Sequence, residues 1–491
     1  MSAYKDLGKL LVGSAFIKVF GIAATLIFVR VLTKTELALF PIYFMLRYVA
    51  AQLLDFGITP YFIRVLPSFL REGRDRTRSL LFTGVPIVYA GLAVVTLLTF
   101  IFADTIAGLV LRDESSGWMI RIICLGFFPY TTTKMCEYVL WGRAQFGTLS
   151  FLQTLEAFIR PIAIVSLYLL FDLPGVVAAF VLVELIVSAS YLYCIRDLFG
   201  GARPPRYPAR LLLAQAFPLY VEGWLWYLRA DGDNWLVSIF LGPAALAEYF
   251  VATIMVNQVT ILFSSVDRVV VERLGRQLGR PDAIAEKALA VHARISQFVL
   301  PGILMLLALT PLAIVLIGGH AYESSIPPAL VLMLVALGQF LFMPVDRSVF
   351  VGLAPRYRLY KTMVEAVVVF ASAAILVPTA GLVGVAGARL AGQLAGGIYG
   401  LVILRRHLGL TLPFGEAWRT ALTAIPGTIL VLLLTAPVEG GVVEIIATAA
   451  AMSVVWLGAF LLLVLLFNRP FLGALLAEIR RALGRTPSPT S

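Results

Sequence analysis

The sequence predicts an all-α polytopic membrane protein of about fourteen transmembrane helices, and three observations predict it. Of the 491 residues, 60% are hydrophobic and only 14% are charged. Apolar runs of about 20 residues recur along the chain, each long enough to cross about 30 Å of hydrocarbon as a helix. Basic residues fall almost entirely on alternate connections between these runs. A water-soluble globule with a polar coat is therefore excluded.

The apolar runs define fourteen predicted spans. They cover residues 9–32, 38–66, 80–103, 117–140, 150–171, 176–195, 211–240, 246–270, 291–317, 326–350, 361–378, 385–404, 420–437 and 443–467. Of the Lys and Arg residues assigned to the connections and termini, 25 lie on the side of both termini, against only Lys34 and Arg112 on the other. The positive-inside rule makes the side with 25 cytoplasmic. This asymmetry explains most of the net charge of +11, so the charge gives no reason to expect nucleic-acid binding.

The residue sets that enzymes and metal sites need are missing from the sequence. The three histidines are dispersed and the three cysteines lie in apolar runs, so neither a metal site nor a disulfide framework is expected. The connections on the non-cytoplasmic side are short, the longest being 104–118. An enzyme working outside the bilayer would need a larger loop carrying acids or nucleophiles. We therefore predict a transporter without a cofactor, with H⁺ or Na⁺ as candidate coupling ions.

The chain repeats itself at an offset of 209 residues. The matching segments are Leu32–Phe40 with Leu241–Tyr249, Glu114–Ser116 with Glu323–Ser325, and Leu173–Val176 with Leu382–Val385. One offset that holds across many spans indicates a duplicated unit of six helices. The predicted domains are an N-terminal lobe at 1–209 ending in a cytoplasmic linker near 196–210, a C-terminal lobe at 210–418, two extra helices at 419–467, and a cytoplasmic amphipathic helix and tail at 468–491.

Polar side chains follow several predicted spans at helical spacing. A charge inside a span costs roughly 2.5 to 3.5 kcal/mol on insertion scales, so it normally faces a partner or water. The candidate substrate-binding cations are Lys18, Arg47, Arg229, Arg268 and Arg389; the candidate cavity-lining polar residues are Tyr43, Trp226, Asn257, Ser264 and Gln393; the candidate ion-coupling carboxylates are Asp55, Glu222 and Asp233. Because cations outnumber carboxylates, the predicted wet cavity favours an anionic cargo. The rival interpretation is a Glu222–Arg229–Asp233 network within the seventh helix.

Other charged residues inside spans have the spacing of local ion pairs. They are Lys134 with Glu137, Glu156 with Arg160, and the adjacent Asp346 and Arg347. Oppositely charged side chains three or four positions apart meet on one face of a helix. We interpret these pairs as structural.

Five segments in both halves of the chain share a rhythm of glycines, leucines and apolar spans. They are FVRVLTKTELALFPIYFMLRYVAAQLLDFGITPYFIRVLPSFL at Phe28–Leu70, LVSIFLGPAALAEYFVATIMV at Leu236–Val256, LTPLAIVLIGG at Leu309–Gly319, VFVGLAPRY at Val349–Tyr357 and VPTAGLVGVAGARLA at Val377–Ala391. In these segments the chain resembles the polysaccharide transporter branch of the MOP (multidrug/oligosaccharidyl-lipid/polysaccharide) exporter superfamily, which includes O-antigen flippases. The resemblance covers about residues 5–410.

The resemblance implies two six-helix lobes in a V arrangement that open alternately to each side. It implies a flippase for an undecaprenyl-diphosphate-linked oligosaccharide, such as an O-antigen, capsule or exopolysaccharide repeat unit, in the bacterial inner membrane. It also implies a cationic central cavity lined by spans one, two, seven and eight, onto which Lys18, Arg47, Arg229 and Arg268 map by position. Expected partners are the lipid-linked substrate, membrane lipids, a polysaccharide polymerase and chain-length machinery. The alternatives are an ion-coupled MATE-like exporter of small organic molecules and a lipid II flippase.

Overall fold

The structure is a computed structural model that describes residues 25–143, 145–200, 206–257, 259, 281–352, 355–408, 414–435 and 441–467. The described residues are almost entirely helical and include no β-strand, which confirms the all-α fold class. The α-helices are α1 Lys34–Leu37, α2 Leu39–Leu53, α3 Ile58–Glu72, α4 Arg74–Ile101, α5 Ala103–Val110, α6 Gly117–Leu125, α7 Phe127–Gly142, α8 Phe146–Cys194, α9 Ala209–Leu236, α10 Pro243–Asn257, α11 Pro281–Gly318, α12 Ile326–Gly352, α13 Pro355–Leu408, α14 Phe414–Leu434 and α15 Val442–Phe467. Residues 25–31 are also helical, and short 3-10 or π turns lie at Glu114–Ser116, Arg196–Leu198, Val237–Leu241 and His320–Ser325.

The chain divides into two units, which we call unit 1 (Met1–Ala247) and unit 2 (Glu248–Ser491). Helix α9 packs against α2, α3 and α4 within unit 1. Just after α9, the Ser238 hydroxyl donates to the Val110 carbonyl at 3.0 Å and Arg112 donates to the Phe240 carbonyl at 2.7 Å. The seventh predicted span therefore packs in unit 1, whereas the repeat assigns it to the C-terminal lobe.

The second predicted span, 38–66, is broken in the structure. Helices α2 and α3 meet at 76°, and the turn between them contains Phe56 and Gly57 with positive φ values of 51° and 78°. A side chain at Gly57 would collide with the backbone of Ala216 and Tyr220 on α9. The glycine therefore allows α9 to pack directly against the break.

Helices α8 and α13 are each a hairpin of two spans. A straight helix of 49 residues, the length of α8, would extend about 74 Å, far beyond a bilayer core of about 30 Å. The chain turns at Asp172 (φ 51°, ψ −139°), and Gly175 then packs against the carbonyl of Leu167. We call the two halves of α8 its first and second arms. In α13 the chain turns at Gly381 (φ 52°, ψ −125°).

The element boundaries of the two units follow the 209-residue offset. The hairpin turns at Asp172 and Gly381 are 209 positions apart, and so are the first residues of α8 and α13, Phe146 and Pro355. The 3-10 turns ending at Ser116 and Ser325 match in the same way, so the repeat extends from sequence to local structure.

Each unit has its own apolar core. In unit 1 the core includes Phe62, Leu66, Val139 and Tyr191, from α3, α7 and α8. In unit 2, α14 and α15 pack onto α11 through residues such as Leu304, Val431, Trp456 and Phe460, all almost fully buried. The Trp456 indole donates to the Thr428 hydroxyl at 3.0 Å, which satisfies a polar group inside this core. The two helices beyond the repeat therefore belong to unit 2.

Six helices in the described part of the chain are long and apolar enough to cross a membrane, or seven if the bent α2–α3 pair counts as one span. Two of the six, α8 and α13, each contain two of the predicted spans on either side of a turn. The protein is therefore a multi-pass membrane protein, and the number fourteen stays a prediction. The connection 104–118 was predicted to be a loop, but in the structure it contains most of helix α5.

Candidate functional site

The Glu184 carboxylate lies at the centre of a polar network inside unit 1. Glu184 is in the second arm of α8, and its side chain is only 2% exposed. From α2, the Tyr43 hydroxyl donates to Glu184 Oε1 at 2.9 Å, and Arg47 Nη1 donates to the same oxygen at 2.5 Å. Because 137 residues separate Arg47 from Glu184, this ion pair ties together two distant parts of the chain.

A second guanidinium reaches the same carboxylate from the first arm of α8. Arg160 Nη2 donates to Glu184 Oε1 at 3.0 Å and to Glu156 Oε1 at 2.5 Å. The other terminal nitrogen of Arg160, Nη1, is buried and has no hydrogen-bond partner. Arg160 therefore bridges two carboxylates and still has an unused donor.

A third cation, Lys134 of α7, lies beside this network, because its ammonium and the Arg47 guanidinium both lie over the Tyr130 ring. Its ammonium donates to Glu137 Oε2 at 2.7 Å, and the Gln153 amide donates to Glu137 Oε1 at 3.1 Å. The Tyr191 hydroxyl also donates to Glu137 Oε1, at 3.3 Å. Lys134 is 37% exposed, so this end of the network is open to its surroundings.

We call this network the unit 1 charge cluster. Its members are the cations Arg47, Lys134 and Arg160 and the carboxylates Glu137, Glu156 and Glu184. Within these six residues the charges balance. Buried charges inside a membrane bundle are costly even when paired, so such a cluster points to a function rather than to stability.

Aromatic rings surround the Arg47 end of the cluster. The Arg47 guanidinium carbon lies 4.3 Å from the ring centroid of Tyr130 and 4.7 Å from that of Phe44. The Tyr43 ring stacks on Phe180 with centroids 4.3 Å apart. The π faces stabilise the guanidinium and fix its position beside Glu184.

Two of the three ion pairs predicted from spacing are confirmed, and the third, Asp346 with Arg347, stays a prediction. Lys134 pairs with Glu137, and Glu156 pairs with Arg160. Asp346 pairs with Lys361, at 2.9 Å. Adjacent residues on a helix point in different directions, so Asp346 meets a side chain from the next helix, α13. The side chain of Arg347 lies outside the description.

The predicted stripe on the seventh span lies on α9. Trp226 is 44% exposed, Glu222 and Arg229 are half-buried, and Asp233 is buried and accepts a hydrogen bond from the Asn234 backbone at 3.0 Å. A neighbouring stripe of α9 packs on α2 through rings, with Tyr227 stacked on Tyr48 at 4.3 Å. The cavity predicted for this span stays a prediction.

Asp55 lies in the break between α2 and α3. Its buried carboxylate accepts from the Thr59 backbone at 3.1 and 3.2 Å and from the Thr59 hydroxyl at 2.5 Å. It thus satisfies amide donors in the first turn of α3. Among the described residues Asp55 forms no ion pair.

The remaining predicted site residues divide between unit 2 and undescribed positions. Lys18, Ser264 and Arg268 lie outside the described residues. Asn257 is exposed at the end of α10, and Arg389 is half-buried on α13. Gln393, also on α13, is buried with its amide nitrogen unpartnered.

Unit 2 contains a smaller charge cluster, which sequence reasoning missed. The buried Lys361 ammonium contacts both Asp346 and Glu365, and Glu365 is itself buried. Hydropathy places Lys361 among the cytoplasmic charges at the start of a span, but α13 begins earlier, at Pro355. The available signal was the spacing of four between Lys361 and Glu365, which favours an ion pair on one helix. We call these three residues the unit 2 charge cluster.

The described part of the chain contains neither a group of residues arranged to hold a metal ion nor a disulfide. No group of three or more His, Cys, Asp or Glu residues there is arranged to hold a metal ion. Cys124, Cys136 and Cys194 are free thiols.

The family of the chain follows from its sequence. A family model described as polysaccharide biosynthesis protein matches residues 27–327, which is more than half of the chain. The chain belongs to this family. No curated protein matches the chain by sequence.

Solved structures of membrane transporters share the fold of this chain. The lipid II flippase MurJ in an inward closed conformation superposes with a TM-score of 0.76 at 12% identity, over 94% of this chain and 99% of MurJ. An inward-facing multidrug resistance MATE transporter superposes with a TM-score of 0.61 at 14% identity, over 82% of this chain and 98% of the transporter. A mutant of the Vibrio cholerae MATE transporter VcmN gives a TM-score of 0.55 at 13% identity, over 85% of this chain and 99% of VcmN. The chain therefore has the fold of these MOP transporters and flippases.

Proposed function

We propose that the protein flips an undecaprenyl-diphosphate-linked oligosaccharide across the bacterial inner membrane by alternating access. The observation that carries this proposal is the match of residues 27–327 to the polysaccharide biosynthesis family. Such synthesis at a membrane requires the sugar head group to cross the hydrocarbon core, where a bare diphosphate has a very high energy. A protein path with fixed cations lowers that energy.

Basic side chains in the spans support an anionic head group. Arginine donates two parallel hydrogen bonds to phosphate oxygens and stays charged when buried. Arg47 in the unit 1 charge cluster has this chemistry, and we include Lys18, Arg229, Arg268 and Arg389 as further cations along the path. The polyprenyl tail stays in lipid while the head group moves through the protein.

We also propose that an H⁺ or Na⁺ gradient drives the cycle. Asp55, Glu222 and Asp233 are the carboxylates assigned to coupling. Asp55 supports this assignment because its carboxylate is buried at a helix break, where a proton or Na⁺ would replace the missing countercharge.

The proposed setting is the bacterial inner membrane with both termini in the cytoplasm. A polysaccharide polymerase and chain-length machinery are the proposed partners, because they would consume the flipped repeat unit. The support is the Lys and Arg asymmetry of the sequence and the family match.

Reconstitution tests the proposal. The full-length protein is placed in liposomes with fluorescent undecaprenyl-diphosphate-linked oligosaccharide, and head-group accessibility to a membrane-impermeant quencher reports flipping. We expect flipping above protein-free liposomes, and a loss of about tenfold or more in Arg47→Gln, since a charged hydrogen bond contributes about 1.5 to 3 kcal/mol. The matched control is Arg76→Gln, because Arg76 is exposed and its ion pair with Glu72 lies at the surface.

Parallel arms separate the alternatives. Lipid II and a small organic cation are tested in the same liposomes. Transport of either one, without flipping of the oligosaccharide lipid, would contradict the proposal.

A further inference from the structure

Glu184 holds two guanidinium groups at once. Arg47 and Arg160 come from different helices, and both donate to its Oε1 atom at 2.5 and 3.0 Å. A carboxylate between two arginines has the same charge and acceptor chemistry as a phosphate between two arginines. Glu184 therefore occupies a position that an anionic ligand would favour.

Arg160 has a hydrogen-bond donor that neither of its carboxylate partners uses. Arg160 Nη1 is buried without a partner, although a buried charged donor strongly favours an acceptor. The cluster is also partly accessible, with side-chain exposures of 17% for Arg47, 26% for Glu156 and 37% for Lys134. Part of the Arg47 side chain itself is therefore accessible from outside the cluster.

The repeat shows that the fold does not require these charges. The positions 209 residues after Arg47 and Arg160 are Val256 and Val369, and the position after Glu184 is Gln393. Helical packing in unit 2 is thus compatible with apolar or neutral side chains at all three positions. Replacing a buried ion pair by apolar side chains is often neutral or stabilising. Stability alone therefore does not explain the charges in unit 1, whereas binding of a ligand would.

We propose that Arg47 and Arg160 form a diphosphate subsite inside unit 1, and that the Glu184 carboxylate is the internal anion that occupies it until a diphosphate displaces it. This inference rests on the proposed function, because the diphosphate is that of the lipid-linked substrate. Competition between Glu184 and the diphosphate for the two arginines would help the diphosphate to leave. A transported group must bind strongly enough to enter and weakly enough to leave, and an internal carboxylate that returns to the arginines promotes release.

Binding to the full-length protein in detergent tests the subsite without any transport. Inorganic pyrophosphate and a short-chain polyprenyl diphosphate are titrated by calorimetry into wild-type protein and Glu184→Gln. Removing the competing charge is expected to tighten binding of both ligands at least about tenfold. The double variant Glu184→Gln/Arg160→Gln is expected to lose that gain. The matched control is Glu72→Gln, which removes an exposed carboxylate paired with Arg76 and leaves binding unchanged.

The opposite results would overturn the subsite. These are equal or weaker pyrophosphate binding by Glu184→Gln, an unchanged gain in the double variant, or tightening for the polyprenyl ligand alone, which would indicate a site for the tail. If Glu184→Gln fails to fold, Glu184→Asp replaces it, and its shorter side chain is expected to give a smaller gain. Tighter pyrophosphate binding together with absent flipping of the oligosaccharide lipid would retain the subsite and refute the proposed function.

Discussion

The two charge clusters occupy corresponding positions in the two units. Glu137, Glu156 and Glu184 of unit 1 align, at the offset of 209, with Asp346, Glu365 and Gln393 of unit 2. The acidic pattern is thus retained at two of three positions, and the third changes from a carboxylate to an amide. Both clusters lie at contacts between neighbouring helices of one unit.

The cations of the two clusters differ. Unit 1 uses Arg47, Lys134 and Arg160, whereas Lys361 of unit 2 bridges Asp346 and Glu365 within the described residues. The duplicated fold therefore places acidic groups at equivalent positions in both units, whereas the cations come from different positions. We interpret the unit 1 charge cluster as functional and the unit 2 charge cluster as structural.

The largest effect on stability is expected from removing the cation of the unit 2 charge cluster. Lys361→Met removes the ammonium that contacts both Asp346 and Glu365, and we expect a loss of about 3 to 5 kcal/mol in the free energy of unfolding. Chemical denaturation in detergent measures it. The matched change in unit 1, Lys134→Met, should cost only about 1 kcal/mol, because Lys134 is more exposed and Glu137 retains donors from Gln153 and Tyr191. Equal losses would remove the contrast between the units.

A smaller effect is expected where a glycine makes room for the unit 2 charge cluster. A methyl group at Gly396 would overlap the Glu365 side chain, so Gly396→Ala should displace the buried carboxylate and destabilise the protein by about 1 to 3 kcal/mol. Gly302→Ala is the control, because nothing lies near the added methyl group there and alanine favours the helix. Thermal unfolding distinguishes the two, and a stable Gly396→Ala would show that Glu365 is free to move.

The Tyr43 hydroxyl is one of three donors to Glu184 whose equivalent positions in unit 2 have no polar side chain. The Tyr43 hydroxyl donates to Glu184, whereas the equivalent position in unit 2 is Ala252. Tyr43→Phe should lower the free energy of unfolding by about 1.5 kcal/mol, the contribution of one hydrogen bond to a charged group. Tyr193→Phe is the control, since Tyr193 is exposed and its ring contact with Arg196 survives. No difference between the two variants would mean that the arginines alone hold Glu184.

The smallest effect is expected at a surface pair, which calibrates the buried ones. Arg143 donates to both oxygens of Asp197 at 2.9 and 2.6 Å, and these hydrogen bonds lower the pKa of Asp197 below its usual value. A lowered folded-state pKa stabilises the protein above the unfolded pKa of about 3.9, and this stabilisation is lost as pH falls through the folded pKa. Arg143→Gln should therefore cost at most about 1 kcal/mol at neutral pH and almost nothing in strong acid. Melting temperatures from pH 7 to pH 3 measure this, and a pH-independent cost would contradict it.

The sequence predicts much of the local structure, because helix periodicity is a local property. The spans, the hairpin turns near Asp172 and Gly381 and the pairs Lys134–Glu137 and Glu156–Arg160 depend on residues close together in the chain. The break at Gly57 was missed because the run 38–66 stays apolar through it, and hydropathy does not detect a short turn.

The centre of the candidate site could not be predicted from spacing. Arg47 reaches Glu184 only because α2 packs near the second arm of α8, and no helical period relates residues 137 positions apart. Arg47 was expected to face a wet cavity, and the structure places its guanidinium against a buried carboxylate and aromatic rings. The sequence singled out Arg47 as a charge inside a span, whereas its partner depended on tertiary packing.

Flipping rates of double variants with unchanged net charge test whether the unit 1 charge cluster is functional and the unit 2 charge cluster is structural. Arg47→Gln/Glu184→Gln removes one cation and one carboxylate from the unit 1 charge cluster, and Asp346→Asn/Lys361→Gln removes one of each from the unit 2 charge cluster. Rates in proteoliposomes are normalised to folded protein. We expect the flipping rate to fall about tenfold or more in the unit 1 variant and to stay within about threefold of wild type in the unit 2 variant. Equal losses, or a greater loss from unit 2, would contradict this interpretation.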